Sequence, residues 1–161
     1  MIRPATQTDS IAIARIYNHY IRNTAITFEE EPVASSEIAG RIGKVLSTPL
    51  PYLVAAPGDQ VVGYAYASRW HERSAYRFSV ETTIYLDPEH LGDGLGTRLY
   101  TVLLDQLKDR GLHSAIGGIA LPNPASIALH ESLGFRKVAH YREVGFKFDR
   151  WIDVGYWQRV L

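Results

Sequence analysis

His90-Leu91-Gly92-Asp93-Gly94-Leu95-Gly96-Thr97 joins an apolar, β-branched run, Thr82-Thr83-Ile84-Tyr85-Leu86, to a segment with apolar residues at Leu95, Leu99, Val102 and Leu103. The first run reads as a strand and the second as an amphipathic helix. A strand, a glycine loop and a helix N-terminus can hold a phosphate with main-chain groups alone. Glycine lets the backbone approach an anion and take positive φ. The first helical turn offers unpaired N–H groups at the positive end of the helix dipole. A phosphorylated cofactor is one reading of this loop, and a turn that only starts a helix is the other. The dinucleotide fingerprint G-x-G-x-x-G does not fit, since the order here is G-x-G-x-G. Nor does the P-loop, since Gly96-Thr97-Arg98 lacks its lysine.

Working outward, the chain alternates elements without linkers or repeats. Residues 2–5 form a short strand. Asp9 or Ser10 can cap a helix over residues 10–22, where Ile13, Ile16, Tyr17, Tyr20 and Ile21 share a face. A second helix covers 36–46. Strands follow at 52–56, 61–70 and 78–86, the first two joined by the turn Pro57-Gly58-Asp59. The helix after the glycine loop ends at Gly111, a C′ position. A strand at 114–120, a helix at 125–133 closed by Gly134, and paired strands at 138–146 and 152–160 complete the chain. This order predicts one domain, residues 1–161, of α/β class: a mixed, mostly antiparallel sheet with helices on both faces.

Composition narrows the function. At 161 residues the chain can bury a real core. Lys+Arg and Asp+Glu are 17 each, with no basic run, which argues against nucleic acid and anionic membrane as partners. There is no cysteine, so disulfides, thiolate catalysis and cysteine-bound metals are excluded. His71, His90, His113, His130 and His140 show no i, i+4 ligand pairing, so no metal site is expected. No apolar run reaches the ~20 residues that span a bilayer. Met1-Ile2-Arg3-Pro4-Ala5 has no signal-peptide apolar region, and the expected location is the cytoplasm.

Two side chains suggest acid–base chemistry. Glu81 sits in a β-branched strand directly before the glycine loop, where an unpaired carboxylate is costly to bury. It is either a perturbed catalytic carboxylate or a strand residue facing solvent or an arginine. His130 is either a group working near neutral pH or a buried histidine hydrogen-bonded to a backbone carbonyl or to Glu81. The segment Trp70-His71-Glu72-Arg73-Ser74-Ala75-Tyr76 joins two strands, where specificity often resides, and Arg73 can hold a carboxylate bidentately. Its charges also suit a solvated connection. Tyr17, Tyr20, Tyr64 and Tyr66 fall at core-facing spacings. Trp151 and Trp157 suit sheet packing or a subunit contact.

Several ordered motifs resemble the GNAT N-acetyltransferase superfamily over the whole chain. Besides the glycine loop there is Asn123-Pro124-Ala125-Ser126 running to Leu133-Gly134-Phe135. Ile16-Tyr17-Asn18-His19, Arg73-Ser74-Ala75-Tyr76, Val80-Glu81, Leu129-His130-Glu131-Ser132 and the tail Trp151-Ile152-Asp153-Val154-Gly155-Tyr156-Trp157-Gln158 narrow the resemblance to the phosphinothricin and methionine sulfone/sulfoximine acetyltransferase branch. The resemblance implies acetyl-CoA as cosubstrate and direct transfer to the α-amine of a small amino-acid-like acceptor in a ternary complex. It implies that Ile84, Tyr85 and Leu86 bind the pantetheine arm. Gly92, Asp93, Gly94, Leu95, Gly96 and Thr97 would bind the pyrophosphate, with Asn123 and Ser126 completing the donor site. Glu81 becomes the base, and His130 stands where many members carry a tyrosine that protonates the departing thiolate. Phe28, His71, Glu72, Arg73, Tyr76, Thr82 and Thr83 become the acceptor wall, and the tail implies a homodimer.

This sequence departs from the pattern at three places. Leu91 and Asp93 stand where the superfamily carries an amide or basic residue, so Asp93 brings a like charge to a diphosphate, which Arg98 can offset. His71 replaces a lysine of the phosphinothricin enzymes. Other amine acceptors, a polyamine or a protein N-terminus, and a non-catalytic CoA-binding module are the competing expectations.

Overall fold

The four residues Tyr52–Ala55 carry no charge and alternate between two apolar clusters. Leu53 and Ala55 belong to one, Tyr52 and Val54 to the other. Successive strand side chains point to opposite faces, so this strand must be covered on both sides. In the computed structural model, which describes residues 1–161, it lies inside a seven-stranded sheet. The elements are β1 (Ile2–Pro4), α1 (Ser10–Asn23), α2 (Ser35–Leu46), β2 (Tyr52–Ala55), β3 (Gly63–Arg69), β4 (Ser79–Leu86), α3 (Leu95–Asp109), β5 (Ser114–Ala120), α4 (Pro124–Ser132), β6 (Arg136–Lys147) and β7 (Arg150–Val160).

The strand order is β1-β2-β3-β4-β5-β7-β6, and only β4 and β5 run parallel. Ile13, Ile16, Ile38 and Ile42 of α1 and α2 pack on Tyr52, Val54 and Tyr64. Leu99, Leu103, Leu104 and Leu107 of α3 pack on Leu53, Ala65, Val80 and Ala115 across the sheet. The expected mixed sheet with helices on both faces is what forms.

The parallel pair positions the site. β4 and β5 are in register only at Ser79↔Ser114, Val80↔Ala115 and Glu81↔Ile116. Beyond Glu81 the two strands separate. Residues 82–86 keep β3 on one side and lose their strand partner on the other. Glu81 therefore stands at the apex of a wedge between two strands.

Local differences from the sequence reading have identifiable causes. Asp9 occupies the N-cap position of α1 but makes no cap bond. Its carboxylate instead takes the Arg3 guanidinium at 2.8 and 2.9 Å and the Thr6 amide at 2.8 Å. The strand expected at 138–146 runs from Arg136 to Lys147, with irregular register between Lys137 and Ala139 and between Tyr141 and Gly145. Bulges break the alternation from which a strand is read. Gly111 does take the left-handed C′ conformation, φ +77°.

Candidate active site

The wedge opens into a cavity of about 290 Å3. β4 supplies Glu81, Thr83 and Tyr85, β5 supplies Gly118, and β7 supplies Val154 and Tyr156. The segment after α1 contributes Ile26, Thr27 and Phe28, while Asn123, Ser126 and His130 come from the start and body of α4.

Glu81 is half-buried and makes no hydrogen bond or ion pair within the chain. Burial raises its pKa above the ordinary carboxylate value, and the nearby His71 partly opposes the shift. A carboxylate so placed is a free proton acceptor facing a cavity.

His130 differs in every respect. It is buried, and Nδ1 lies 2.7 Å from the Ser126 carbonyl. A carbonyl only accepts, so Nδ1 carries the proton. Nε2 then accepts from the Tyr100 hydroxyl at 3.0 Å. Behind it, Thr82 Oγ1 lies 2.6 Å from the Tyr100 oxygen and 3.3 Å from the Ile116 carbonyl. Burial lowers the His130 pKa, so the ring is neutral. Of the two structural alternatives, the backbone carbonyl is the partner and Glu81 is not. Space enforces the arrangement, because a Cβ on Gly117 would sit 2.5 Å from His130 Nε2.

In the glycine loop, Gly92 and Gly94 take φ of +86° and +77°. The amides of Gly92, Asp93, Gly94, Gly96 and Thr97 have no partner within the chain. The Leu95 amide is taken by Asp93 Oδ1 at 2.9 Å, and Arg98 Nη1 donates to the Asp93 carbonyl at 3.1 Å. One Asp93 oxygen thus caps the Leu95 amide at the start of α3, beside the amides that suit a diphosphate.

Residues 2–155 match the family model described as acetyltransferase (GNAT) domain. This chain belongs to the GNAT acetyltransferase family. It is 41% identical over 158 residues to a phosphinothricin N-acetyltransferase of Streptomyces viridochromogenes, covering 98% of this chain and 86% of that one. It is 36% identical over 160 residues to an L-methionine sulfoximine/L-methionine sulfone acetyltransferase of Salmonella typhimurium, covering 99% and 94%. A GNAT superfamily phosphinothricin acetyltransferase from Sinorhizobium meliloti, solved in complex with AcCoA, superposes with a TM-score of 0.96 at 39% identity, covering 100% of this chain and 88% of that one.

This GNAT acetyltransferase is an N-acetyltransferase whose donor is acetyl-CoA, and its residues fit that donor. The unpartnered amides of the loop and the first turn of α3 suit a pyrophosphate, and the open edge of β4 suits the amides of a pantetheine arm. Asn123 Oδ1 caps α4 on the Ser126 amide at 3.2 Å. The Leu86 carbonyl already accepts from Tyr20 at 2.6 Å, which leaves it one free lone pair. No group of three His, Asp or Glu residues could hold a metal.

The expected acceptor residues do not all converge. Phe28, Glu81 and Thr83 wall the wedge. The Thr82 hydroxyl also borders it but belongs to the Tyr100 chain on the α3 side. His71 and Tyr76 do not line the wedge but join it through an aromatic series, with Trp70 against Tyr156 at 5.7 Å, His71 against Trp70 at 4.8 Å and Tyr76 against His71 at 5.0 Å. Arg73 is exposed, makes no ion pair and borders neither of the two principal cavities. Glu72 borders a different cavity beside β2 and β3.

Sequence reasoning missed Lys147. Its Nζ is buried and donates to the carbonyls of Ile21, Thr27 and Glu29 at 2.8–2.9 Å. Burial lowers its pKa. Two residues earlier, a Cβ on Gly145 would overlap the Phe28 ring at 2.3 Å. The end of β6 therefore clamps the segment that presents Ile26, Thr27 and Phe28 to the wedge. The only sequence signal was a lysine between two phenylalanines, Phe146-Lys147-Phe148. Tyr156 and Tyr100 were hidden among ordinary core-spaced aromatics.

Proposed function

We propose that this protein transfers acetyl from acetyl-CoA to the α-amine of a small amino-acid-like acceptor of the phosphinothricin, methionine sulfone or methionine sulfoximine type. The observation that carries the reading is Glu81, a raised-pKa carboxylate without a partner at the apex of the wedge. Glu81 takes the proton of the incoming ammonium, directly or through water, which frees the nitrogen lone pair. The nitrogen attacks the thioester carbonyl, the C–S bond breaks, and the proton that the acylated nitrogen then sheds goes to the departing thiolate. No covalent link to the protein is needed when both substrates share the wedge. His130, with both ring nitrogens engaged, fixes Tyr100 and the wall of the wedge. Tyr100, buried and hydrogen-bonded to Nε2, backs His130 without lining the wedge itself.

The names of the relatives support the acceptor class. The test is CoA release over a panel of L-amino acids, methionine sulfone, methionine sulfoximine, phosphinothricin and spermidine. Turnover of the sulfone, sulfoximine or phosphinothricin above all others is expected, and a preference for spermidine would overturn the reading.

We also propose a homodimer joined through β6, in keeping with the resemblance of the tail. β6 is an edge strand with Val138, Tyr141, Val144 and Phe146 exposed, and Trp151 of β7 beside Phe146 is 63% exposed. An uncovered apolar edge of that kind promotes aggregation. A dimer mass in light scattering at micromolar concentration is expected, and a monomer would remove this assignment. A reaction that draws on acetyl-CoA suits the cytoplasm, and no helix is long and apolar enough to cross a membrane.

A further inference from the structure

A second, larger cavity, about 460 Å3, lies under α2 on the face of the sheet that carries Glu81. It belongs neither to the wedge nor to the glycine loop. It shares only Thr83 and Tyr85 with the wedge, so those two side chains form the partition.

Its lining is rich in hydrogen-bond donors and cations. Tyr52 and Tyr64 are 4% and 3% exposed, and neither hydroxyl has a partner within the chain. The only partnerless polar side-chain atom sealed from solvent is His90 Nδ1, so both hydroxyls open onto the cavity. Burial holds both phenols above their ordinary pKa, which keeps them O–H donors. Lys44 and Arg69 border the same space without an ion pair, and Arg41 there is shared with Glu29 and Glu37. Glu72 is the one acid in the lining. Ile38, Val45 and Leu50 form an apolar flank, and Thr48, Ser68 and Thr83 add hydroxyls to the rest of the wall. The tyrosine rings are fixed by stacking, Tyr52 on Tyr66 at 4.8 Å and on Tyr64 at 6.1 Å.

Leaving two nearly buried hydroxyls without partners is costly unless a ligand or water satisfies them. Donors at the floor, cations at the mouth and an apolar flank together specify an anion with an apolar body. Cavities of this size hold small organic ligands. We propose that this chamber is a second binding site, separate from the acetyl-transfer site, for a small aromatic carboxylate. Its occupant touches the Thr83 and Tyr85 side chains that also wall the wedge, so binding there alters the acceptor site through them.

Calorimetric titration of phenylacetate into the CoA-saturated protein tests this, with phenethylamine as the cation of similar shape. Phenylacetate is expected to bind and phenethylamine to give no heat. The Tyr52→Phe/Tyr64→Phe pair keeps both rings and should weaken phenylacetate about 5- to 20-fold, as loss of charge-assisted hydrogen bonds predicts. Lys44→Glu, on the exposed helix surface, should weaken it about 10-fold or more. Phe28→Ala, in the wall of the wedge alone, should leave it unchanged. Absence of phenylacetate binding at millimolar concentration, equal binding of phenethylamine, or insensitivity to both the tyrosine pair and Lys44→Glu would overturn the proposal. So would a Phe28→Ala loss as large as that of the tyrosine pair, because the ligand would then sit in the wedge.

Discussion

The two titratable groups of the wedge stand on opposite faces of one sheet and have opposite surroundings. Glu81 shares its face with Tyr66, Thr83 and Tyr85, beneath α1 and α2, and its carboxylate has no partner. His130 lies on the α3 side, packed against Phe135 and Tyr100, with both nitrogens bonded. Burial pushes each towards its neutral form, raising Glu81 and lowering His130. The difference lies in what each can still do. A group with free lone pairs can receive a proton at little structural cost, whereas a saturated one must first break a bond. Titration direction therefore does not separate a reacting group from a positioning one, but hydrogen-bond saturation does.

The sharpest test of this contrast is Glu81→Gln, which should lower kcat/KM by about 10²–10⁴. The wild-type rate should fall as pH drops through the raised Glu81 pKa, and the variant should lose that acidic limb in a pH–rate profile. The sign for stability is opposite. A folded-state pKa above the unfolded one stabilises the protein at low pH, and that contribution is lost as pH rises. The glutamine variant should therefore melt higher than wild type at pH 7 by calorimetry, with the gap closing as pH falls towards 4.

The clamp on the Glu81 side comes next. Lys147→Met strands three buried carbonyls and should cost about 2–4 kcal/mol in urea unfolding. It should raise KM for the acceptor while leaving acetyl-CoA affinity unchanged, because the released segment carries Phe28 and not the glycine loop. His130→Ala should cost about 1–3 kcal/mol, since it leaves the Tyr100 hydroxyl without its acceptor. It should lower kcat less than tenfold. A loss in kcat equal to that of Glu81→Gln would erase the contrast and make His130 a proton carrier.

The smallest effect is at Asp93. Asp93→Lys forfeits the bond to the Leu95 amide, about 1 kcal/mol of stability. It should change CoA affinity less than about threefold in calorimetry at physiological salt, because the carboxylate is already engaged by the Leu95 amide and salt screens what remains. A tenfold gain would restore the picture of an aspartate beside the phosphates.

Much of this was legible in the chain. Hydrophobic spacing places the helices and most strands, and Thr82–Leu86 followed by glycines reads as a strand leading into an anion-binding loop. What stayed hidden depends on residues far apart in sequence. Lys147 meets Ile21 at 126 positions' separation. The wedge itself exists because two strands part after Glu81, which no local pattern records. That the loop aspartate caps the Leu95 amide two residues on is a matter of side-chain rotamer, which the sequence does not record. Arg73 was chosen for its chemistry, and the backbone leaves it outside both principal cavities.

An enzyme that lives among thioesters also risks acylating itself. An amine attacks a thioester only with a free lone pair, and a depressed pKa in the open would make a lysine the most reactive in the chain. Lys147 has a lowered pKa, yet its three protons are all given to carbonyls and its side chain is closed off from solvent. The bonds that hold the segment in place also keep that nitrogen chemically silent, and the lysines left open to solvent are Lys44, Lys108 and Lys137.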